Sequence, residues 1–227
     1  MVTLKEYYVA YQQIAKDDIV RPFEGDRWRR HIPFRYFIAS QSNMRVLEVG
    51  CGRGELLRKV RGFRVGVDIG LEYLQRFKGD YERVHATVEA LPFRDGAFDV
   101  VIADSVLEHV LDLETCVKEL SRVSDGALYA LVPFKEDLRG YGASEKKYGL
   151  REHQRTFSNE LQIPHFEAMK SEFLYPENYP IWLSMLVSKI HVVSILLADW
   201  LALHFWHRRP KLVMLEMRPN NVSGCKP

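Results

Sequence analysis

Cysteine is scarce in this sequence, and neither sign of charge dominates. The three cysteines, Cys51, Cys116 and Cys225, lack the spacing of a disulfide framework or a metal site. With 32 basic and 30 acidic residues the formal net charge is only +2, so no global field favours a nucleic-acid partner. The first residues also lack the apolar core of a secretory signal. These absences predict a cytoplasmic protein in a reducing compartment, with no bound metal.

The segment that organises the chain runs from Arg45 to Leu57 and reads R-V-L-E-V-G-C-G-R-G-E-L-L. Its short β-branched run predicts a strand buried on both faces, and the glycines predict a tight turn before a helix over residues 55–61. Glycines admit positive φ and leave room beside the backbone, while a helix start offers unpaired N–H groups. We therefore expect a nucleotide-like ligand at this turn.

A second predicted strand, R-V-G-V-D-I over residues 64–69, strengthens this expectation. It ends at Asp68, which follows the first glycine at about the 20-residue spacing that lets a carboxylate reach ribose hydroxyls. The ends of both strands then point at one nucleoside.

Three ordered motifs carry a family resemblance: V-L-E-V-G-C-G-R-G, then G-V-D-I, then A-L-P-F-R-D-G-A-F-D-V-V-I-A-D-S-V-L-E-H-V. They resemble the motifs of class I S-adenosylmethionine-dependent methyltransferases, in the type 11-like branch that includes small-molecule and lipid-intermediate enzymes. A dinucleotide fingerprint would have a third glycine where Glu55 stands, so the implied cofactor is S-adenosylmethionine rather than NAD.

The resemblance implies a Rossmann-like α/β fold with a seven-stranded, mostly parallel sheet whose last strand is antiparallel. Strands are expected over residues 45–49, 64–69, 83–87, 98–104, 127–134, 172–179 and 211–218. Residues 1–43 are expected to form an N-terminal helical extension or lid. Residues 44–227 are expected to form the methyltransferase domain, with an apolar helical insertion over 181–206.

The resemblance also assigns cofactor binding to the ends of four strands. The candidate residues are Glu48, Gly50, Cys51, Gly52, Asp68, Ile69, Thr87, Val88, Asp104 and Ser105. Thr87 stands where such proteins often have an aspartate that binds the adenine amino group, so that contact rests on backbone groups or on Glu89. Asp104 and Ser105 are expected beside the methionine part of the cofactor.

His153 is the candidate catalytic residue, in a segment E-H-Q-R-T-F-S-N-E-L that resembles one in related methyltransferases. An imidazole can accept a proton from an attacking hydroxyl near neutral pH, which fits a general base. The alternative is a histidine that only fixes its loop, because methyl transfer is often driven by positioning and desolvation. Glu108 and His109 are interpreted as structural.

At the N-terminus, Thr3 and Glu6 have the spacing of a capping box. The apolar residues that follow at helical spacing, Leu4, Tyr7, Tyr8, Tyr11 and Ile14, predict one apolar helix face. This face either packs on the core or lies over the substrate pocket.

The insertion 181–206 has 26 residues, and only two of them, Lys189 and Asp199, are Asp, Glu, Lys or Arg. It is long enough to span a bilayer, but a last strand that returns to the sheet argues against spanning. Peripheral contact with a membrane, the wall of an apolar substrate pocket and a homodimer interface all remain open. Each alternative favours a small, hydrophobic or lipid-linked acceptor.

Two other functions also remain open. Residues 21–36 interleave arginines with aromatic residues, which would suit an RNA methyltransferase, although a cluster in a near-neutral chain is a weak sign of nucleic-acid binding. A non-catalytic cofactor-binding or membrane-associated adaptor is the second alternative. The predicted function is methyl transfer from S-adenosylmethionine to a small-molecule acceptor.

Overall fold

The structure is a computed structural model that describes residues 3–20, 43–76, 78–133, 148–150, 166–176 and 210–219. His153, the insertion 181–206 and the basic–aromatic segment 21–36 lie outside the described residues, so their predicted roles stay predictions.

The centre of the fold is one β-sheet. Its strands in the described part of the chain are β1 Arg45–Val49, β2 Phe63–Asp68, β3 Glu82–His85, β4 Phe98–Asp104, β5 Ser124–Pro133, β6 Phe166–Pro176 and β7 Pro210–Pro219. They lie in the order β3-β2-β1-β4-β5-β7-β6. Strands β1 to β5 pair in parallel, whereas β7 runs antiparallel to both β5 and β6.

The order of the parallel strands reverses between β1 and β4. In open α/β sheets, ligands bind outside the carboxyl ends of the strands at such a reversal. The predicted Rossmann-like α/β fold with a parallel sheet is therefore confirmed, and its topology places a binding crevice where the glycine turn follows β1.

Alternate residues of the central strands enter two separate cores. Val46, Val100 and Ile102 pack in one buried cluster, whereas Leu47, Val101 and Ala103 pack in the other. This pattern is expected of strands covered on both faces, as in parallel sheets with helices on either side.

Three α-helices and one short 3₁₀ helix accompany the described strands: α1 Leu4–Ile19, the 3₁₀ helix Leu57–Lys59, α2 Leu71–Arg76 and α3 Leu113–Val123. Helix α3 covers one face of the sheet with Cys116, Val117, Leu120 and Val123, all fully buried. Its first turn is capped by Asp112, which accepts a hydrogen bond from the Thr115 N–H at 3.1 Å. Cys116 is thus a buried residue of the core.

The predicted capping box at the start of α1 is present. The Glu6 N–H donates to Thr3 Oγ1 at 3.3 Å, and the Thr3 N–H donates to Glu6 Oε2 at 2.8 Å. The predicted apolar face is only partly right, because Leu4 is 60% exposed and Tyr8 is 38% exposed. The buried residues of α1 are Tyr7, Ala10 and Ala15.

The predicted helix over residues 55–61 is wrong, since only the 3₁₀ helix Leu57–Lys59 forms there. The Leu57 N–H donates to the carboxylate of Glu48. The Val60 N–H then bonds the Leu57 carbonyl at 3.4 Å, three residues back, as in a 3₁₀ turn. Strands β5 and β6 also begin earlier than predicted.

No helix in the described ranges has the length and apolar character needed to cross a membrane.

Candidate cofactor-binding site

The turn after β1 is held open by glycine. Gly50, Gly52 and Gly54 adopt φ of +62°, +48° and +66°, a region that side chains other than glycine rarely enter. The Cys51 N–H donates to the Val67 carbonyl at 3.0 Å, which fastens the turn to β2. A Cβ atom built on Gly52 would meet no heavy atom within 4 Å. The backbone at Gly52 is therefore open to a ligand.

Asp68 connects this turn to the loop after β2. Its Oδ2 accepts the Gly52 N–H at 2.7 Å, and its Oδ1 accepts the Gly70 N–H at 2.7 Å. Burial raises the pKa of the Asp68 carboxyl to about 6, against the opposing effect of these two hydrogen bonds. A carboxylate has about four acceptor positions, so two remain for hydroxyl groups of a ligand.

Two more predicted site residues bring carboxyl groups to the same edge. Glu48 is 4% exposed, and burial, followed by the charges of Asp104 and Asp68, raises its pKa well above the usual value. Its Oε2 has no hydrogen-bond partner among the described residues. Three carboxyl groups, those of Glu48, Asp68 and Asp104, therefore lie near one another at this edge.

Ser105 follows β4 in a strained backbone conformation. Its φ is 58°, which is uncommon for a residue other than glycine. The Ser105 N–H donates to the Leu131 carbonyl at 2.9 Å, and its hydroxyl donates to Asp104 Oδ1 at 3.0 Å. Such outliers cluster at ligand sites, where surrounding contacts maintain them.

Thr87, Val88 and Glu89 follow β3 at the same edge. The Ala86 N–H donates to the Asp68 carbonyl at 3.3 Å, which places this loop beside the end of β2. Glu89 Oε1 accepts the Leu111 N–H at 3.3 Å. Glu89 therefore joins the loops after β3 and β4 across the crevice.

Helix α1 lies over the loop after β2. Gln12 bridges this loop, because its side-chain amide donates to the Ile69 carbonyl and its Oε1 accepts the Leu71 N–H at 3.0 Å. Ile69 packs with Tyr7 and Ala10 in one apolar cluster. The predicted cofactor residue Ile69 thus contacts α1.

The turn after β4 lies beneath the same helix. Glu108 is 2% exposed, and His109 Nε2 lies 3.8 Å from Glu108 Oε1. The rings of Tyr11 and His109 meet edge-on, with centroids 6.5 Å apart. These contacts agree with the structural interpretation of Glu108 and His109, which stays a prediction.

A family model described as a methyltransferase domain matches residues 47–130, the stretch that contains the glycine turn, Asp68 and the end of β4. A probable S-adenosylmethionine-dependent methyltransferase of Mycobacterium tuberculosis is 33% identical over 107 residues, covering 44% of this chain and 39% of that protein. Residues 47–130 therefore form a methyltransferase domain, whose cofactor is S-adenosylmethionine.

Two further comparisons extend over more of this chain. A 2-phytyl-1,4-naphthoquinone methyltransferase of Nostoc punctiforme is 28% identical, covering 60% of this chain and 64% of that protein. The structure of a Burkholderia thailandensis 1,6-didemethyltoxoflavin-N1-methyltransferase superposes with a TM-score of 0.59 at 15% identity, over 97% of this chain and 92% of that chain. At that identity the likeness concerns the fold alone. The curated relatives that match first are covered over 42%, 47% and 39% of their length, so the chain spans less than half of each.

The residues of this domain fit the cofactor on three structural grounds. The backbone at Gly52 is open, Asp68 retains acceptor positions for two ribose hydroxyls, and Glu48 presents an unpaired buried oxygen in an acidic edge. S-adenosylmethionine carries a sulfonium, an ammonium, a carboxylate and a ribose, and its two cationic groups and ribose hydroxyls match this set of acceptors.

The sequence pattern predicted the strand ends at this site but not the residues of α1 that contact them. Gln12 contacts two backbone groups of the loop after β2, and nothing in its local pattern distinguishes it from a solvated glutamine. The helical spacing of Tyr7 did predict that its side chain is buried. This burial raises the pKa of the Tyr7 hydroxyl.

Proposed function

We propose that this protein transfers the methyl group of S-adenosylmethionine to a small, hydrophobic or lipid-linked acceptor. The cofactor supplies an electrophilic methyl group on a positively charged sulfur. The observation that carries the proposal is Asp68, whose buried carboxylate is aligned by the Gly52 and Gly70 N–H groups at the carboxyl edge of the sheet.

Each predicted cofactor residue has a proposed role. Asp68 accepts from the ribose hydroxyls, and the open backbone of Gly50, Cys51 and Gly52 contacts the methionine part. Thr87, Val88 and Ile69 line the adenine pocket. Glu48, Asp104 and Ser105 surround the charged groups of the cofactor and hold them by electrostatic attraction.

Chemistry at the acceptor is proposed to rest on alignment and exclusion of water. His153 remains the candidate general base for a hydroxyl acceptor. An apolar acceptor is supported by the relative named for a phytyl-substituted naphthoquinone and by the apolar sequence 181–206.

The wider organisation is part of the same proposal. Residues 1–43 form the extension and 44–227 the methyltransferase domain, whose complete sheet has seven strands with the last one antiparallel. The protein acts in the cytoplasm, with peripheral membrane contact or homodimerisation through the apolar insertion.

Calorimetric titration with S-adenosylmethionine and S-adenosylhomocysteine tests the proposal. We expect wild type to bind both ligands and Asp68→Ala to lose binding. Loss of the hydrogen bonds to the ribose hydroxyls should reduce the affinity by about 10²-fold or more. Asp125→Ala is the matched control, because Asp125 is exposed and lies at the opposite end of β5.

A second pair of variants guards against misfolding of Asp68→Ala. Gly52→Ala and Gly96→Ala both place alanine at a positive φ, +48° and +59°, and neither added Cβ meets an atom closer than 3.7 Å. Both should lose similar stability, about 1–2 kcal/mol, but only Gly52→Ala should weaken cofactor binding. If wild type bound neither ligand, the methyltransferase proposal would be overturned.

Incubation with radiolabelled cofactor and lipid extracts, quinones or RNA then identifies the acceptor class. Transfer to lipid or quinone, with co-sedimentation on vesicles, supports the apolar acceptor. Transfer to RNA with strong salt dependence overturns it in favour of the nucleic-acid alternative.

A further inference from the structure

Helix α1 ends in two acidic residues, Asp17 and Asp18, within the range Leu4–Ile19. A carboxylate at this end is disfavoured, because the last carbonyl groups of a helix carry partial negative charge. Departures from such local rules occur where another contact stabilises the residue. Asp18 falls on the helix stripe that includes Tyr7, Tyr11 and Ile14, which faces the cofactor edge.

Asp18 contacts the glycine turn and α2. Its Oδ2 lies 3.5 Å from Arg53 Nε, and its backbone carbonyl accepts a hydrogen bond from Arg53 Nη2. The Tyr73 hydroxyl donates to the same Oδ2 at 3.0 Å. The side chains of Arg53 and Asp18 are only 11% and 14% exposed, so water screens this ion pair far less than a surface pair.

Arg53 is the residue between two glycines with positive φ, Gly52 and Gly54. Glycines leave a turn many alternative conformations, so the turn depends on its tethers to hold one of them. Hydrogen bonds to Val67 and Asp68 fasten the turn to the sheet. Arg53 fastens it to α1, on the other side of the site.

We propose that Asp18 is a positioning residue, which fixes the glycine turn through Arg53 in the conformation that binds S-adenosylmethionine. The inference rests on the proposed function, since the turn is assigned to that cofactor. Docking of α1 and binding of the cofactor then favour each other, because both require the same turn conformation.

Asp18→Asn tests the inference, since asparagine keeps the volume and an acceptor for Tyr73 but loses the charge that faces Arg53. Asp17→Asn is the matched control, because it removes the same charge in the same helical turn, where Asp17 contacts Tyr148 instead. We expect the Kd for S-adenosylhomocysteine to rise fivefold or more in Asp18→Asn, a usual range for coupled sites, and about twofold or less in Asp17→Asn.

A double-mutant cycle with Arg53→Gln separates positioning through Arg53 from general destabilisation. The double variant Asp18→Asn/Arg53→Gln should bind no more weakly than Arg53→Gln alone. If the two effects add in full, Asp18 does not act through Arg53 and the inference is overturned.

Backbone hydrogen exchange in the ligand-free protein gives a readout that does not depend on the cofactor. Asp18→Asn should speed the exchange of the amides of residues 52–54 about fivefold or more relative to Asp17→Asn. Equal exchange in the two variants would overturn the inference. If wild type failed to bind any cofactor, the proposed function would fall, while the exchange rates would still decide whether Asp18 holds the turn.

Discussion

Asp68 connects the glycine turn after β1 with the loop after β2. Its two carboxylate oxygens each accept one backbone N–H, from Gly52 and from Gly70, at 2.7 Å. Burial of this carboxylate raises its pKa to about 6. The group is therefore ionised at neutral pH but becomes protonated within a range where the protein can be studied.

We predict that cofactor affinity strengthens as pH rises through about 6, the pKa of Asp68 in the free protein. Ribose hydroxyls can both donate only to the ionised carboxylate, so protonation competes with binding. At pH 5 the Kd for S-adenosylhomocysteine should be about tenfold higher than at pH 8, as one pKa unit implies. Calorimetry across this range, with circular dichroism to verify folding, checks the prediction. A flat profile would contradict it.

Helix α1 fits closely against the loop after β2. A Cβ atom built on Gly70 would lie 2.8 Å from the Ala15 Cβ, so the helix and the loop approach within the space that only small residues leave. Ala15 is fully buried there. The helix thus touches the loop whose Gly70 N–H aligns Asp68, and the two elements act as one wall of the site.

We predict that Ala15→Leu separates α1 from this loop. Three added carbon atoms at a fully buried site overpack it and cost about 1–3 kcal/mol of unfolding free energy. The variant should be cleaved faster in α1 by protease and should bind S-adenosylhomocysteine more weakly. Gln13→Leu, on the exposed face of the same helix, should change neither property. Unchanged proteolysis of Ala15→Leu would show that α1 does not pack as described.

The whole parallel sheet brings carboxyl groups together that are far apart in sequence. Glu48 lies near Asp68 and Asp104 because β1, β2 and β4 are neighbouring strands whose carboxyl ends lie at one edge of the sheet. Because burial and these neighbouring acids disfavour the charged form of Glu48, its ionisation costs folding stability.

We predict that Glu48→Gln stabilises the ligand-free protein at neutral pH. The folded-state pKa of Glu48 is raised, so its contribution to stability is present below the unfolded pKa and is lost as pH rises through the folded one. Glutamine stays neutral and can still accept the Leu57 N–H. Urea unfolding should show a gain in the free energy of unfolding at pH 8 and a smaller gain at pH 5.

The matched control for this prediction is Glu114→Gln, because Glu114 is an exposed glutamate of α3. It should change the unfolding free energy by about 0.5 kcal/mol or less. A Glu48→Gln variant that is less stable than wild type at pH 8 would contradict the raised pKa.

Local sequence patterns determined the strands, the glycine turn and the caps. The β-branched run before Gly50, the acid at the end of β2 and the spacing of Thr3 and Glu6 each act within a few residues, so they can be interpreted without a partner. The positions of Glu48, Asp68 and Asp104 at strand ends followed in the same way, since parallel strands share one carboxyl edge.

Contacts between distant segments decided the rest. The helix expected over residues 55–61 is reduced to the 3₁₀ helix Leu57–Lys59, and a buried carboxylate from β1 accepts the Leu57 N–H at its start. The docking of α1 on the domain decides which face of the helix is buried. It also brings Asp18 to Arg53. Periodicity encodes backbone conformation over one or two turns, whereas the partner of a buried polar group is set by which elements the fold brings together.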